Sequence, residues 1–125
     1  MVIEHKLKGY NNFVDFMNTV DSKGKPIYIY FTGDKVDGKS WCPDCIRAEP
    51  IVRQQLHHAD AEALFIYVEV GDRKTWKDPQ CSFRKDTRTQ LLQVPTLMRW
   101  GGPQKLAAEQ CEKPELVEML FTDED

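Results

Sequence analysis

The feature that most constrains the fold of this chain is a pair of cysteines where a strand gives way to a helix. They stand three positions apart in the stretch WCPDC, as Cys42 and Cys45. The run Pro26–Thr32 before them is β-branched and aromatic, which predicts a buried strand. After Cys45, apolar residues recur at helical spacing, at Ala48, Ile51, Val52, Leu56 and Ala59. Cysteines three apart in a first helical turn can form a disulfide with little backbone movement.

The rest of the chain also alternates between predicted helices and strands. Helical spacing or capping predicts helices at Asn11–Val20, around Phe83–Arg88 and from Pro114 onward. Apolar runs predict a second buried strand at Leu64–Val70, a hairpin of Pro95–Trp100 with Lys105–Glu109, and a weak strand at Val2–Leu7. This order predicts an α/β fold, a central mixed sheet with helices on both faces. With 125 residues and no linker or repeat, we expect a single domain over residues 1–125.

Charge and hydropathy exclude several classes of function. A net charge of −3 argues against a nucleic-acid partner, because phosphate contacts require concentrated Lys and Arg. The first residues, MVIEHKLKGY, lack the apolar run of a signal peptide, and no stretch approaches the roughly 20 apolar residues that span a bilayer. We therefore expect a cytoplasmic protein without a membrane partner, in a reducing compartment where structural disulfides are rare.

Three readings of the cysteine pair are possible: a metal clamp, a structural staple or a working dithiol. A zinc site needs four ligands, yet Cys81 and Cys111 are isolated and His57–His58 is not a second pair of matching spacing. The working dithiol is favoured, with no metal. Cys45 shares the apolar stripe of its helix, whereas Cys42 is expected at an exposed lip, where the helix N-terminus stabilises a thiolate. This asymmetry suits an attacking thiol at Cys42 and a resolving thiol at Cys45.

Several motifs resemble those of one known superfamily. WCPDC with Pro50 eight residues after its first cysteine, and VPTL at Val94–Leu97, resemble the thioredoxin superfamily. YFTGDKVDGKSWCPDCIRAEP, WKDPQCSFRK and VPTLMRWGGPQKL narrow the resemblance to the small cytosolic thioredoxin-related proteins of 14 kDa, over essentially the whole chain.

The resemblance implies a thioredoxin fold and a role for each residue of the motifs. Cys42 becomes the nucleophile and Cys45 the resolving thiol, with Pro43 and Asp44 as the spacer that tunes the redox potential. Trp41, Val94 and Pro95 face the substrate, and Pro95 is expected in the cis form. The negative charge of Asp44 beside a thiolate predicts a reductant, with a potential nearer the roughly −270 mV of thioredoxin than the roughly −120 mV of strong oxidants.

The implied function is a disulfide reductase of small disulfides, such as cystine, and of exposed protein disulfides. No cofactor is expected to be bound, because the resemblance implies electrons from NADPH through thioredoxin reductase. The protein is expected to be a monomer. Two alternatives stay open: a redox-regulated adaptor without turnover, and a glutathione-dependent enzyme similar to glutaredoxin.

Two departures from ordinary thioredoxin carry further expectations. The predicted strand has no acid where thioredoxin has a buried one, and Tyr30 falls near that place. The segments Gly33–Ser40 and Gly71–Gln80 are longer than in thioredoxin and are expected to wall the dithiol, favouring narrow substrates. Their charges alternate in sign along the sequence, which predicts that shape rather than charge decides specificity.

Overall fold

The computed structural model describes residues 2–123, and a mixed five-stranded sheet forms the centre of this part of the chain. In chain order the strands are β1 (Ile3–Lys8), β2 (Ile27–Thr32), β3 (Lys35–Val36), β4 (Lys39–Ser40), β5 (Leu64–Glu69), β6 (Thr96–Arg99) and β7 (Lys105–Ala107). The sheet order is β1-β5-β2-β6-β7. The first three strands of that order are parallel, and β6 and β7 are antiparallel to their neighbours.

Five α-helices complete the described fold. They are α1 (Tyr10–Thr19), α2 (Pro43–Gln55), α3 (Arg73–Lys77), α4 (Ser82–Lys85) and α5 (Pro114–Thr122). Two 3₁₀ turns follow α2 and β7, at Leu56–His58 and Ala108–Glu112. The predicted α/β order is confirmed, and the weak strand at the start of the chain is β1, a full partner of β5.

The central strands β2 and β5 are apolar up to their last residues, Thr32 and Glu69, because helices cover both faces of the sheet. On one face, Phe31 of β2 packs edge-on against Phe13 of α1, with ring centres 5.5 Å apart. On the other face, Tyr28 of β2 packs against Phe121 of α5 at 5.0 Å, and its hydroxyl donates to the Phe121 carbonyl. The continuous apolar run of β2 therefore reflects two cores, one on each side of the strand.

The two long polar segments contain regular structure that the sequence did not predict. Lys35–Val36 and Lys39–Ser40 pair as a short hairpin, so the expected loop Gly33–Ser40 is largely β3 and β4. The second segment includes α3, whose N-cap is Asp72: its carboxylate accepts a hydrogen bond from the Thr75 amide at 2.8 Å. Local capping and pairing therefore stabilise both segments.

Both segments begin at one edge of the sheet. Thr32, at the end of β2, pairs in register with Glu69, at the end of β5, and parallel strands finish at the same edge. Just beyond, the Asp34 amide donates to the Gly71 carbonyl at 3.1 Å, and the Gly71 amide donates to the Asp34 carboxylate at 2.8 Å. These two bonds join the segments into one rim.

Gly33 is the position where this rim packs most closely. A Cβ built on Gly33 would lie 2.6 Å from Cε2 of Trp41, closer than any real contact of this kind. The indole itself is held in place, because its Nε1 donates to the Gly71 carbonyl at 2.9 Å. A side chain at Gly33 would therefore displace Trp41 or the rim.

We expect Gly33→Ala to lower the free energy of unfolding by about 1–3 kcal/mol, since the clash is with a rigid ring. Thermal unfolding should report a fall of several degrees in Tm. Gly102→Ala is the matched control, because its Cβ would meet chiefly the flexible end of Gln104. Equal effects of the two substitutions would contradict the steric explanation.

Candidate active site

The two predicted cysteines lie together at the N-terminus of α2. Cys42 is the N-cap residue, Pro43 begins the helix, and Cys45 lies in its first turn. Their sulfurs form a disulfide, with the Cα atoms 5.2 Å apart. The spacing of three residues thus produces the pair that the sequence predicts, and the molecule is described in its oxidised form.

Cys42 is more buried than the sequence predicts. It was expected at an exposed lip, yet only 5% of its surface is accessible, against 1% for Cys45. The reason is tertiary: its Sγ lies 3.7 Å from the Val94 carbonyl oxygen, which a distant loop places beside the helix. Cys42 still lines a cleft, whereas Cys45 does not. The order of access is as expected, but access runs through the cleft.

A backbone amide of the helix N-terminus contacts the Cys42 sulfur. The Cys45 amide donates to Cys42 Sγ at 3.2 Å, so the side chain of Cys42 is itself the helix cap. The Cys42 amide donates to the Ser40 hydroxyl at 3.1 Å, and that hydroxyl donates to the Gly33 carbonyl. Ser40 was missed from the sequence, since a serine in a polar loop carries no signal of its own.

The Val94–Pro95 peptide bond is cis, which confirms the sequence prediction. It lies between the cleft and the 3₁₀ turn after β7, where the Ala108 amide donates to the Pro95 carbonyl at 2.8 Å. Both Val94 and Ala108 line the cleft beside Cys42. The loop thus presents backbone next to the disulfide.

The two tryptophans near the dithiol have distinct positions. Trp41 is half-buried and anchored to Gly71, as described above, and Trp76 of α3 is buried. Both line the cleft, which has a volume of about 280 Å³. The segment Gly71–Gln80 thus forms one wall of it.

The expectation that Gly33–Ser40 forms the other wall is wrong. None of its residues lines the cleft. The hairpin instead lies against the flank of α2, where Lys35 Nζ contacts the Glu49 carboxylate at 2.9 Å. Of the two long segments, Gly71–Gln80 alone therefore lines the cleft, and Leu92, Gln93, Val94 and Ala108 line it from elsewhere in the chain.

The spacer residue Asp44 has a cationic partner that the sequence reasoning missed. Arg47, one turn later on α2, pairs with Asp44 and also contacts Glu112 at 3.0 Å. The negative charge next to the dithiol is therefore shared with a guanidinium. The spacing of three residues on a helix is the signal that could have revealed this pair.

Tyr30 is the residue that the sequence places near the position of thioredoxin's buried acid. It is fully buried, and its hydroxyl donates to the Cys45 carbonyl at 3.4 Å. Burial raises the pKa of the Tyr30 phenol far above its usual value, with nearby acidic groups adding to the effect. Tyr30 is therefore a neutral donor beneath the dithiol.

The remaining cysteines and histidines do not join the site. Cys81 and Cys111 are both free and buried, and His57 and His58 stack on each other after α2. Within residues 2–123, no group of three or more His, Cys, Asp or Glu side chains is placed to hold a metal ion. No helix of the same part of the chain is long and apolar enough to cross a membrane.

The sequence of the chain is similar to that of a known protein family. A family model described as thioredoxin domain-containing protein 17-like, thioredoxin domain, matches residues 6–123. Thioredoxin domain-containing protein 17 of Danio rerio is 49% identical over 122 residues, covering 97% of this chain and 96% of the relative. The Homo sapiens protein of that name is 47% identical over 116 residues, covering 91% and 93%.

A more distant sequence relative and one solved structure extend the comparison. The thioredoxin-like protein Clot of Arabidopsis thaliana is 40% identical over 101 residues, covering 77% of this chain and 75% of its own. The structure of oxidised thioredoxin O1 from Arabidopsis thaliana superposes with a TM-score of 0.53 at 18% identity, covering 96% of this chain and 97% of the other. The last similarity shows the fold.

The buried thiol of Cys111 is expected to react slowly with alkylating reagents. Burial raises its pKa to about 12, from an ordinary value of 9.0. Near neutral pH, a shift of this size lowers the thiolate fraction about a thousandfold. In a Cys42→Ser, Cys45→Ser double variant, we expect Cys111 to be alkylated at least that much more slowly than a free cysteine peptide. Peptide mapping by mass spectrometry measures it, and the rate should still rise about tenfold per pH unit between pH 8 and 10. Labelling at the rate of the free peptide would contradict this.

Proposed function

The chain belongs to the thioredoxin domain-containing protein 17-like family of thioredoxin domains, and from that premise we propose that it is a disulfide reductase. The observation that carries the proposal is the Cys42–Cys45 disulfide at the N-terminus of α2, with Cys42 alone of the pair lining a cleft. The pair is consistent with thiol-disulfide exchange, and its two sulfurs differ in their access to the cleft.

In the first step, the reduced enzyme attacks a substrate disulfide. The Cys42 thiolate bonds to one substrate sulfur, the substrate S–S bond breaks, and the other sulfur leaves as a thiolate that takes up a proton. The Cys45 amide, which contacts Cys42 Sγ at 3.2 Å in the oxidised form, supports this role because it stabilises negative charge on that sulfur. The dipole of the 13-residue helix α2 acts in the same direction.

In the second step, Cys45 resolves the mixed disulfide. Its sulfur loses a proton and attacks Cys42 Sγ, the Cys42–substrate bond breaks, and the second substrate thiolate leaves. Two electrons have then passed from the dithiol to the substrate, and the Cys42–Cys45 disulfide remains. Because Cys45 is 1% exposed and lies next to Cys42, an outside disulfide has little access to it, which favours attack of Cys45 on the Cys42 sulfur.

The oxidised pair must then be reduced from outside. Thioredoxin reductase, using NADPH, is the proposed donor, by the same exchange at Cys42, so that no resident cofactor is required. The substrates proposed are small disulfides such as cystine and exposed protein disulfides. The cytoplasm, a reducing compartment, is the proposed setting.

The test is NADPH oxidation by thioredoxin reductase with this protein and cystine. Turnover that depends on both proteins supports the proposal. Turnover that instead needs glutathione and glutathione reductase would favour the glutaredoxin-like alternative. A dithiol that equilibrates with redox buffers yet never turns over would favour the adaptor.

The two cysteine substitutions should separate the proposed roles. We expect Cys42→Ser to reduce turnover to background, because the attacking sulfur is lost. Cys45→Ser should also lose turnover but accumulate covalent mixed disulfides, visible as a mass increase that a reductant reverses. Cys81→Ser is the matched control, a buried free cysteine outside the site, and should keep its rate within about twofold.

Limiting iodoacetamide provides a check that does not need turnover. Applied to the reduced protein near neutral pH, it should label Cys42 before Cys45. Cys42 lines the cleft and lies at the N-terminus of α2, where its thiolate is stabilised. Mass mapping of the labelled peptide distinguishes the two, and preferential labelling of Cys45 would reverse the assignment.

A further inference from the structure

The cleft beside Cys42 is lined by cations that have no carboxylate partner. Arg73 and Lys77 of α3 and Arg84 of α4 lie along its wall. Within residues 2–123, none of the three forms an ion pair with an Asp or Glu side chain. The one acid lining the cleft is Asp44, and it is paired with Arg47. The mouth of the site therefore has a surplus of positive charge.

The fold places the cations and the acids of the two long segments differently, with cations at the cleft and three acids bonded to backbone amides. These acids are used by the backbone: Asp72 caps α3, Asp78 accepts from the Gln80 amide at 2.9 Å, and Asp34 accepts from the Gly71 amide. None of these three carboxylates lines the cleft. The sequence prediction that shape rather than charge decides specificity assumed charges of alternating sign at the site, and the charges that line the cleft do not alternate.

The two guanidinium groups are held in place by the tryptophans. The Arg84 guanidinium lies 4.0 Å from the centre of the Trp76 ring, and its Nε donates to the Trp76 carbonyl at 2.6 Å. The Arg73 guanidinium lies 5.6 Å from the Trp41 ring. Stacked guanidinium groups lose less freedom when they bind, and their remaining N–H groups match the geometry of a carboxylate.

We propose that Arg73, Lys77 and Arg84 form a carboxylate-recognition site, which selects disulfides whose sulfur lies a few bonds from a carboxylate. Amino-acid disulfides and short acidic peptide disulfides have this chemistry. The inference rests on the proposed reductase function, since the carboxylate is held while Cys42 attacks the adjacent sulfur. The placement fits this role, because the three cations lie on the wall of the same cleft that Cys42 lines.

The test uses three small disulfides that differ mainly in charge: dithiodipropionate with two carboxylates, hydroxyethyl disulfide with none, and cystamine with two ammonium groups. The pre-reduced protein is mixed with each, and loss of its dithiol is followed by acid quenching and thiol alkylation. No reductase is present, so a failure of the electron donor does not enter the result. Comparing variant with wild type for each compound cancels the intrinsic reactivity of the disulfides.

We expect Arg73→Gln with Lys77→Gln to slow the reaction with dithiodipropionate about tenfold, to change that with hydroxyethyl disulfide by less than about twofold, and to speed that with cystamine. Lys74→Gln is the control, compared with each of the single variants Arg73→Gln and Lys77→Gln: it lies on the same helix and likewise removes one positive charge, but Lys74 does not line the cleft. The wild-type preference should also shrink at high salt.

Arg84 needs a second variant because it packs on Trp76. Arg84→Gln should lose part of the preference, and Arg84→Lys, which keeps the charge, should recover most of it. Equal losses on all three disulfides, or an unchanged rate with the dianion, would overturn the proposal while leaving the reductase intact. A dithiol that no disulfide oxidises would instead overturn the proposed function itself.

Discussion

The interaction on which the site depends is the hydrogen bond from the Cys45 amide to the sulfur of Cys42. An α-helix leaves its first amides without partners, and here the cap that accepts one of them is the sulfur proposed as nucleophile. Helix stability and thiolate stability are therefore one interaction, because any charge on Cys42 strengthens the cap. Pro43, at the first helical position, has no N–H to satisfy, so the start of α2 costs nothing there.

The second constraint is the tie between the two long segments. Asp34, Gly71 and the Trp41 indole form a small set of hydrogen bonds at the edge where β2 and β5 end. This tie holds Trp41 beside the cleft and lies at the start of the segment that carries α3, which supplies two of the three cations of the cleft wall. The hairpin β3–β4, in contrast, is drawn to α2 by the pair of Lys35 with Glu49. One segment thus builds the substrate side of the site, and the other supports the helix that holds the dithiol.

Most of the fold could be predicted from the sequence because its signals are local. The apolar run of β2, the stripe of α2 and the spacing of Cys42 and Cys45 each depend on neighbours along the chain. The burial of Cys42 was not predicted: the sequence motifs place Val94 at the site, but not how closely its carbonyl approaches the Cys42 sulfur. The sign of the charge at the cleft was also out of reach. It depends on Asp72 and Asp78 turning back to cap their own backbone, and a count of charges along the sequence treats them as equal to the cations.

These features combine into one electrostatic arrangement around Cys42. Tyr30 is a buried phenol that stays neutral, and Arg47 pairs with Asp44, which among residues 2–123 is the one carboxylate that lines the cleft. The free cations lie on the cleft wall, and their field favours a thiolate at Cys42 as well as an anionic substrate. Stabilising the thiolate raises its population but lowers its reactivity, because a more stable thiolate is a weaker nucleophile. A substrate carboxylate that binds to the cations would neutralise part of their charge, so the Cys42 thiolate would be less stabilised, and more reactive, at the moment of attack.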